Sequence, residues 1–403
     1  MERQSSRQVI VAGGGIAGLT AALAFARHGF AVQLYERAER LEEVGAGLQL
    51  SPNAVHLLRE LGVTHALAGV AVRPDAVRLV DASRLKVLAE VRLGEFAERR
   101  WGAPYLVAHR ADLQSVLLAR ARQEPDIAIA TAAAVSDFAV HARGVTASID
   151  RAGKIVEANG RFLVAADGVW SKLRAMAGEK GSSRFSGSIA WRATVRADGE
   201  AGALLVRLVG RNVVGVLVHA ACHLIVYPLR SGELFNLVAV TRGASPGEIW
   251  AGRAAVAPLR QAVEGCAADV GALVEAVAGW TVWPINTVAF TGPWTLGGAF
   301  ALVGDAAHAM TPFAAQGAAM AIEDAVTLAD AVAASTGIDG TAVEAWEAAR
   351  RQRVARVVRR GALNRFAWHA SGPVAMARDF FLSTRSAEKL AADLDWLYGW
   401  RKP

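Results

Sequence analysis

Gln8-Val9-Ile10-Val11-Ala12 reads as a short buried strand and runs without a break into Gly13-Gly14-Gly15-Ile16-Ala17-Gly18-Leu19. No other stretch limits the possible folds as strongly. In this G-x-G-x-x-G, Gly13 makes the tight turn, Gly15 lets the backbone approach a pyrophosphate, and Gly18 lets the following helix pack on the strand. The helix carries Ala21, Leu23, Ala24 and Arg27, and Gly29 closes it; Ala31 to Tyr35 forms a second strand that ends at Glu36. Glu36 stands eighteen residues after Gly18, where an acid accepts both hydroxyls of an adenosine ribose. A carboxylate there suits NAD or FAD and disfavours a 2′-phosphate. Strand, helix, strand and terminal acid together predict a Rossmann-like α/β unit.

At 403 residues the chain exceeds one ordinary domain, and two are expected. A hydrophobic fraction of 53% with 20% charged residues describes a soluble globular protein. No apolar run reaches the ~18 residues needed to span a bilayer, so stable membrane insertion is not expected. Met1 to Gln8 has no apolar core of its own and reads as a loose tail rather than a secretory signal. The two cysteines, Cys222 and Cys266, allow at most one disulfide and sit in no metal-ligand spacing, so a reducing cytoplasm and no metal site are expected. The net charge of +7 comes almost wholly from arginine spread along the chain, which excludes a nucleic-acid binder but would draw anionic substrates.

Gly45-Ala46-Gly47-Leu48-Gln49-Leu50-Ser51-Pro52-Asn53 reads as a flexible loop before a helix from Ala54 to Leu61. Val72 to Leu93 alternates like strands. At His109-Arg110-Ala111-Asp112-Leu113 a helix starts with a cation, which is unfavourable on dipole grounds. Either a neighbouring carboxylate offsets Arg110, or it contacts a cofactor phosphate or carbonyl. Strand-like runs at Ala128 to Thr131 and Val145 to Ile149 lead to a third, Arg161 to Ala166, which ends in Asp167-Gly168 before a basic helix. That places Asp167 at the carboxyl end of a buried strand, where open α/β sheets bind ligands.

From about Gly187 short strands follow one another: Ile189 to Val195, Leu204 to Val209, Val213 to Val218, Cys222 to Pro228 and Leu234 to Val240. They predict an antiparallel sheet in a second domain. Period-two geometry puts His223, Ile225 and Tyr227 on one face, with His223 and Tyr227 ~13 Å apart along it. They would wall an aromatic pocket, or face solvent or a satisfied core. Helical segments from Trp250 to Ala278 follow, and Trp283-Pro284-Ile285-Asn286 returns the chain toward the first domain.

The last motif is Gly304-Asp305-Ala306-Ala307-His308, then Thr311-Pro312-Phe313-Ala314-Ala315-Gln316-Gly317-Ala318. A short strand, Phe300 to Val303, precedes it, and an alanine-rich helix without a breaker until about Gly337 follows. A helix N-terminus carries roughly half a positive charge and several unpaired N–H donors, which suits developing negative charge on a reduced flavin. Thr341 to Ala370 is helical and carries seven arginines from Arg350 to Arg365, which predict a solvated basic face.

The fingerprint with Glu36, Asp167-Gly168 and Gly304-Asp305, in that order, resemble the single-component (class A) FAD-dependent aromatic hydroxylases of the p-hydroxybenzoate hydroxylase fold. The resemblance runs from the first strand to about Ala334. The Gly45 to Asn53 and His109 to Leu113 stretches, Trp191-Arg192, His223 with Tyr227, and Pro312 to Gly317 resemble the branch of salicylate, 3-hydroxybenzoate and 6-hydroxynicotinate hydroxylases. The family more often has glycine where this chain has Ala315. The resemblance implies an FAD-binding domain at 1–72, 101–182 and 284–370, a substrate domain at 73–100 and 183–283, and a helical tail at 371–403. It implies non-covalent FAD held by Gly13, Gly15, Gly18, Glu36, Arg37, Gly47, Arg110, Asp167, Gly304, Asp305, Gly317 and Ala318. NADH or NADPH would reduce the flavin, O2 would form a C4a-hydroperoxyflavin, and a phenolic aromatic acid or hydroxypyridine would be hydroxylated. His223 would be the base, with Tyr227 and Gln316 as pocket partners, in a monomer or homodimer. The alternative is a same-fold reductase or cyclase acting on a prenyl lipid at the membrane, supported by the arginine helix alone.

Overall fold

A computed structural model describes residues 7–41, 47–178, 183–244, 252–253, 255–289, 291–335 and 340–402. Most of the expected N-terminal tail, Gly45, Ala46, Trp250 and Gly337 lie outside them. The first sheet has six strands, in the order Thr295–Leu296, Phe300–Leu302, Phe162–Ala165, Gln8–Ala12, Ala31–Tyr35, Ile127–Ala130. All neighbours are parallel except the edge pair Thr295–Leu296 with Phe300–Leu302. The central strands bury both faces, as apolar runs in a parallel sheet must. Parallel pairing has a direct consequence. Ala12, Tyr35, Ala165 and Leu302 all end at one edge, so the glycine turn, Glu36, Asp167 and Gly304-Asp305 meet there although Gly13 and Asp305 stand 292 positions apart in the chain.

The second sheet has eight strands: Gly252–Arg253, Thr281–Thr287, Arg184–Arg196, Leu234–Arg242, Cys222–Leu229, Val213–Val218, Ala76–Asp81 and Lys86–Arg92. It is antiparallel except where Val213–Val218 runs parallel to Ala76–Asp81. Leu204 to Val209 is not a strand in it, as expected from its apolar run, but the end of the helix Glu200–Val209. Ala201, Leu204, Leu205 and Leu208 are buried at helical spacing, and that period overrides the apolar density. Trp283 to Asn286 belongs to the strand Thr281–Thr287 of this sheet rather than to a return segment. The expected helical stretch begins with the short strand Gly252–Arg253 before the helices Ala257–Val263 and Ala268–Ala276. Gly47–Leu50, expected as loop, is a strand paired with Leu106–His109.

The arginine helix, Thr341–Trp368, corrects another expectation. Arg350 is 3% exposed and does not belong to a solvated face. It donates to Glu323 Oε2 at 2.6 Å and Asp324 Oδ1 at 2.8 Å, both carboxylates on the facing helix Gly317–Ala334. Arg353 also donates to Glu323 and to the carbonyls of Trp396 and Leu397, tying in the C-terminal segment. Arg356 and Arg359 do face outward. Among the described residues, no helix is long and apolar enough to cross a membrane.

Candidate active site

A cavity of about 590 Å³ opens at the carboxyl edge of the parallel sheet and reaches the face of the second sheet. Gly13, Gly15, Glu36, Arg37, Arg110, Asp167, Asp305, Gly317 and Ala318 border one side of it. Gly18 and Gly304 lie behind the wall. A Cβ on Gly13 would stand 2.4 Å from the Ala166 carbonyl oxygen, and one on Gly18 1.9 Å from that of Gly13. Both glycines are therefore required by backbone contact, and Gly13 also has φ +106°. Gly304 takes φ +61° where the fingerprint helix and the late helix cross, and a Cβ on it would stand 3.0 Å from Ala321 Cβ and 3.2 Å from Ala17 Cβ.

The acids are positioned by backbone donors. Glu36 Oε2 accepts from Gly14 N–H at 2.6 Å and Oε1 from Ala38 N–H at 2.9 Å. Asp167 Oδ2 accepts from Lys172 and Leu173 N–H, while its buried Oδ1 has no protein partner. Burial pushes the Asp167 carboxyl up against those hydrogen bonds. The residues fit an FAD: a glycine turn and helix N-terminus for phosphates, an acid at a strand end, an orphaned carboxylate oxygen, and a second helix N-terminus. Arg110 opens the helix Arg110–Arg122 with His109 as its cap and lines the same cavity.

The loop before the late helix turns through Ala315, whose φ of +51° and ψ of 37° are left-handed, the conformation that favours glycine. Gln316 follows, 1% exposed. Its Nε2 donates to Ser51 Oγ at 2.9 Å, and its Oε1 accepts from Asn53 Nδ2 at 3.3 Å. Asn53 Nδ2 also donates to Glu323 Oε1 at 2.7 Å. A continuous polar network thus joins this loop to Arg350.

The other wall is the second sheet, and its register sets the order of side chains. Across three strands Arg192 stands opposite Val238 and Val238 opposite Ile225; one row on, Tyr227 stands opposite Asn236. Arg192, Val238, Ile225 and Tyr227 line the cavity. Gly47 is required here: a Cβ would lie 2.5 Å from Tyr227 Cε2, and Gly47 N–H donates to Asn236 Oδ1 at 2.8 Å. Burial pushes the Tyr227 phenol well up, against Arg192 and Asn236, so it remains a hydrogen-bond donor. Half-buried Arg192 is held lower than usual by desolvation, and its buried Nε has no hydrogen-bond partner.

His223 occupies the row on the far side of Ile225, opposite Val240, and does not line the cavity. It is 0% exposed, covered by Phe313 and Trp368, with Nδ1 3.0 Å from His369 Nε2. Burial, reinforced by His369, holds its pKa well below the ordinary imidazole value, and burial with Arg365 and Arg242 lowers His369 to about 4.

Residues 6–361 match the family model described as FAD binding domain. The chain belongs to this FAD-binding family. It is 33% identical over 393 residues to the 3-hydroxybenzoate 6-hydroxylase of Polaromonas naphthalenivorans, covering 97% of this chain and 96% of that protein. A 3-amino-4-hydroxybenzoate 2-monooxygenase of Streptomyces platensis is 34% identical over 395 residues, with 97% and 96% covered. The structure of Klebsiella pneumoniae HpxO with FAD and uric acid superposes with a TM-score of 0.81 at 25% identity, over 96% of this chain and 95% of that one. A salicylate hydroxylase substrate complex matches in fold with a TM-score of 0.81 at 23% identity, over 98% and 96%. The protein is thus an FAD-dependent aromatic monooxygenase.

Several residues of this monooxygenase site escape sequence reasoning. Asn236, His369 and Trp368 carry no local pattern; they reach the site through strand register and the fold-back of the arginine helix. Arg192 had a signal, a lone cation in an apolar strand, which period two puts on the pocket face once the register is known.

Proposed function

We propose that this enzyme hydroxylates a small phenolic aromatic acid, using NADH or NADPH and O2. A hydroxypyridine offers the same acidic hydroxyl. The observation that carries the reading is the Arg192 row: a half-buried guanidinium with a buried, unpartnered Nε beside a buried, neutral Tyr227 phenol. Arg192 would hold the substrate carboxylate, since a partly desolvated cation with an unpartnered donor favours a counter-charge. Tyr227 would donate to the phenolic oxygen. Ile225 and Val238, paired side by side on one face of the sheet, would pack against one face of the ring. Bound FAD would supply the activated oxygen, and one oxygen atom would enter the ring while the other leaves as water.

Ring attack is eased when the phenol has lost its proton, so a base is required. His223, neutral at physiological pH, is the candidate. It lies one row beyond Ile225, about 7 Å along the strand, so the proton would cross through a bridging water. Half-buried His369 would then pass it toward solvent. His223→Ala should slow oxygen transfer more than flavin reduction, because only the former needs an electron-rich ring. NADH oxidation should persist while product per NADH falls and peroxide rises. An unchanged product-to-NADH ratio at saturating substrate would remove His223 from the proton path.

We also propose that FAD is non-covalent, that NADH is preferred over NADPH, and that the enzyme works in a reducing cytoplasm as a monomer or homodimer. The FAD-binding unit would comprise 1–72, 101–182 and 288–370, and the substrate unit 73–100 and 183–287, the expected boundary at 284 moving past the strand Thr281–Thr287 because that strand pairs in the second sheet. The prenyl-lipid alternative rested on an outward basic helix, and Arg350 and Arg353 turn inward to carboxylates.

A further inference from the structure

The hairpin that joins Val213–Val218 to Cys222–Leu229 lies outside the cavity and carries a different chemistry. His219 and Cys222 flank its two-residue turn, closed by a hydrogen bond from His219 N–H to the Cys222 carbonyl at 3.0 Å. Cys266, just after the helix Ala257–Val263, comes to the same place. One ligand atom from each of His219, Cys222 and Cys266 lies within 4.8 Å of the others, and among the described residues this is the group that meets that condition. Both cysteines are free thiols.

We propose that His219, Cys222 and Cys266 form a binding site for a thiophilic divalent cation of the zinc class. Two sulfurs and one imidazole are the donors such an ion selects, and three protein ligands leave a fourth position for water. Ligands about 2.3 Å from one tetrahedral centre stand about 3.8 Å apart, so the trio need close by at most about 1 Å. Cys222 is fully buried, whereas His219 and Cys266 are half-buried, which gives the ion a path in from solvent.

The surroundings hold the donors in place. A Cβ on Gly265 would stand 2.8 Å from His219 Nε2 and 3.0 Å from its Cε1, so the imidazole packs directly against this glycine beside Cys266. Ser83 Oγ donates to the Gly265 carbonyl at 2.9 Å and Ala267 N–H to that of Ala82 at 2.8 Å, pinning the Cys266 turn from both sides. Cys222 Sγ donates to the Ala262 carbonyl at 3.4 Å and also interacts with the Cys266 thiol. Coordination through Nε2 moves the imidazole proton to Nδ1 and gives up one long contact, 3.4 Å from Ala221 N–H. Binding also releases the two thiol protons, since the ligands are thiolates. No electron is transferred. The ion would clamp the hairpin to the helix Ala257–Val263, so its role is structural and does not depend on the substrate proposed above.

The test uses the full-length flavoprotein, reduced and stripped of metal with a chelator. Co2+ is added as a spectroscopic surrogate and then displaced by Zn2+. One equivalent of Co2+ should give tetrahedral d–d bands at longer wavelength than the flavin absorbs, and Zn2+ should abolish them. Zn2+ should raise Tm in the wild type. Cys266→Ser and His219→Gln, both at half-buried positions, should keep flavin and fold while weakening binding at least about tenfold. Absence of tetrahedral bands overturns the proposal. So does binding that is unchanged in both variants, which would mean adventitious surface ligands. A Cys222–Cys266 disulfide in the isolated protein, with no binding after its reduction, overturns it as well.

Discussion

In the proposed site Arg192 and Tyr227 would divide the work of holding a phenolic acid: one side chain would supply a charge, the other a directional hydrogen bond. Arg192→Met should therefore raise KM for a carboxylated substrate by about a hundredfold, since losing a charge-assisted hydrogen bond costs roughly 1.5–3 kcal/mol. A substrate analogue without the carboxylate should lose little, and steady-state kinetics with both compounds reads the difference. Gly47 tests the pocket from behind. In Gly47→Ala the new methyl meets the Tyr227 ring at 2.5 Å, so the phenol must move. KM should rise, and an unaltered KM would show that Tyr227 does not touch substrate. Gly15 makes the complementary case. It lines the cavity at the N-terminus of the fingerprint helix, and Gly15→Leu should give folded but colourless protein.

At the scale of elements, the pair of helices Gly317–Ala334 and Thr341–Trp368 holds the loop with Gln316 through buried charges. Arg350→Met leaves Glu323 and Asp324 short of a counter-charge in the interior and should lower stability by about 3–5 kcal/mol, measurable by urea unfolding. Burial would raise the Asp324 pKa, but His308, Arg350 and the Gly304 N–H hold it at about 2, against an ordinary 3.8. A carboxylate depressed in the folded state stabilises above its unfolded pKa. That contribution, roughly 2 kcal/mol, should be intact above about pH 5 and lost as pH falls through about 2. Asp324→Asn should flatten this acid limb of the stability profile. Loop strain belongs to the same element: Ala315 sits in left-handed backbone, the conformation that favours glycine.

Across the whole molecule, legibility follows the range of the interactions. The fingerprint strand, helix and acid were readable because turn chemistry and a strand end are local. The meeting of Glu36, Asp167 and Asp305 was readable because parallel strands share one carboxyl edge. Leu204 to Val209 misled because apolar density was weighed above helical period. Arg350 misled because its partners, Glu323 and Asp324, lie on another helix, and nothing in its own neighbours announces them. The trio of His219, Cys222 and Cys266 was invisible for the same reason: a tight hairpin brings two together, but the third arrives from 44 residues away. Period two places His223 on the same face as Ile225 and Tyr227, but it does not line the cavity, because Phe313 and Trp368 pack over it.

The central claim is that a reduced nicotinamide, O2 and a phenolic acid are consumed together in one cavity. Its most direct test is a single mass measurement under 18O2, with NADH and a panel of hydroxylated benzoic acids and hydroxypyridines. The account predicts that at least one compound stimulates NADH oxidation and gains one 18O atom on its ring per NADH consumed. Stimulated oxidation that yields only peroxide with every compound, or an oxygen that comes from water, would contradict it.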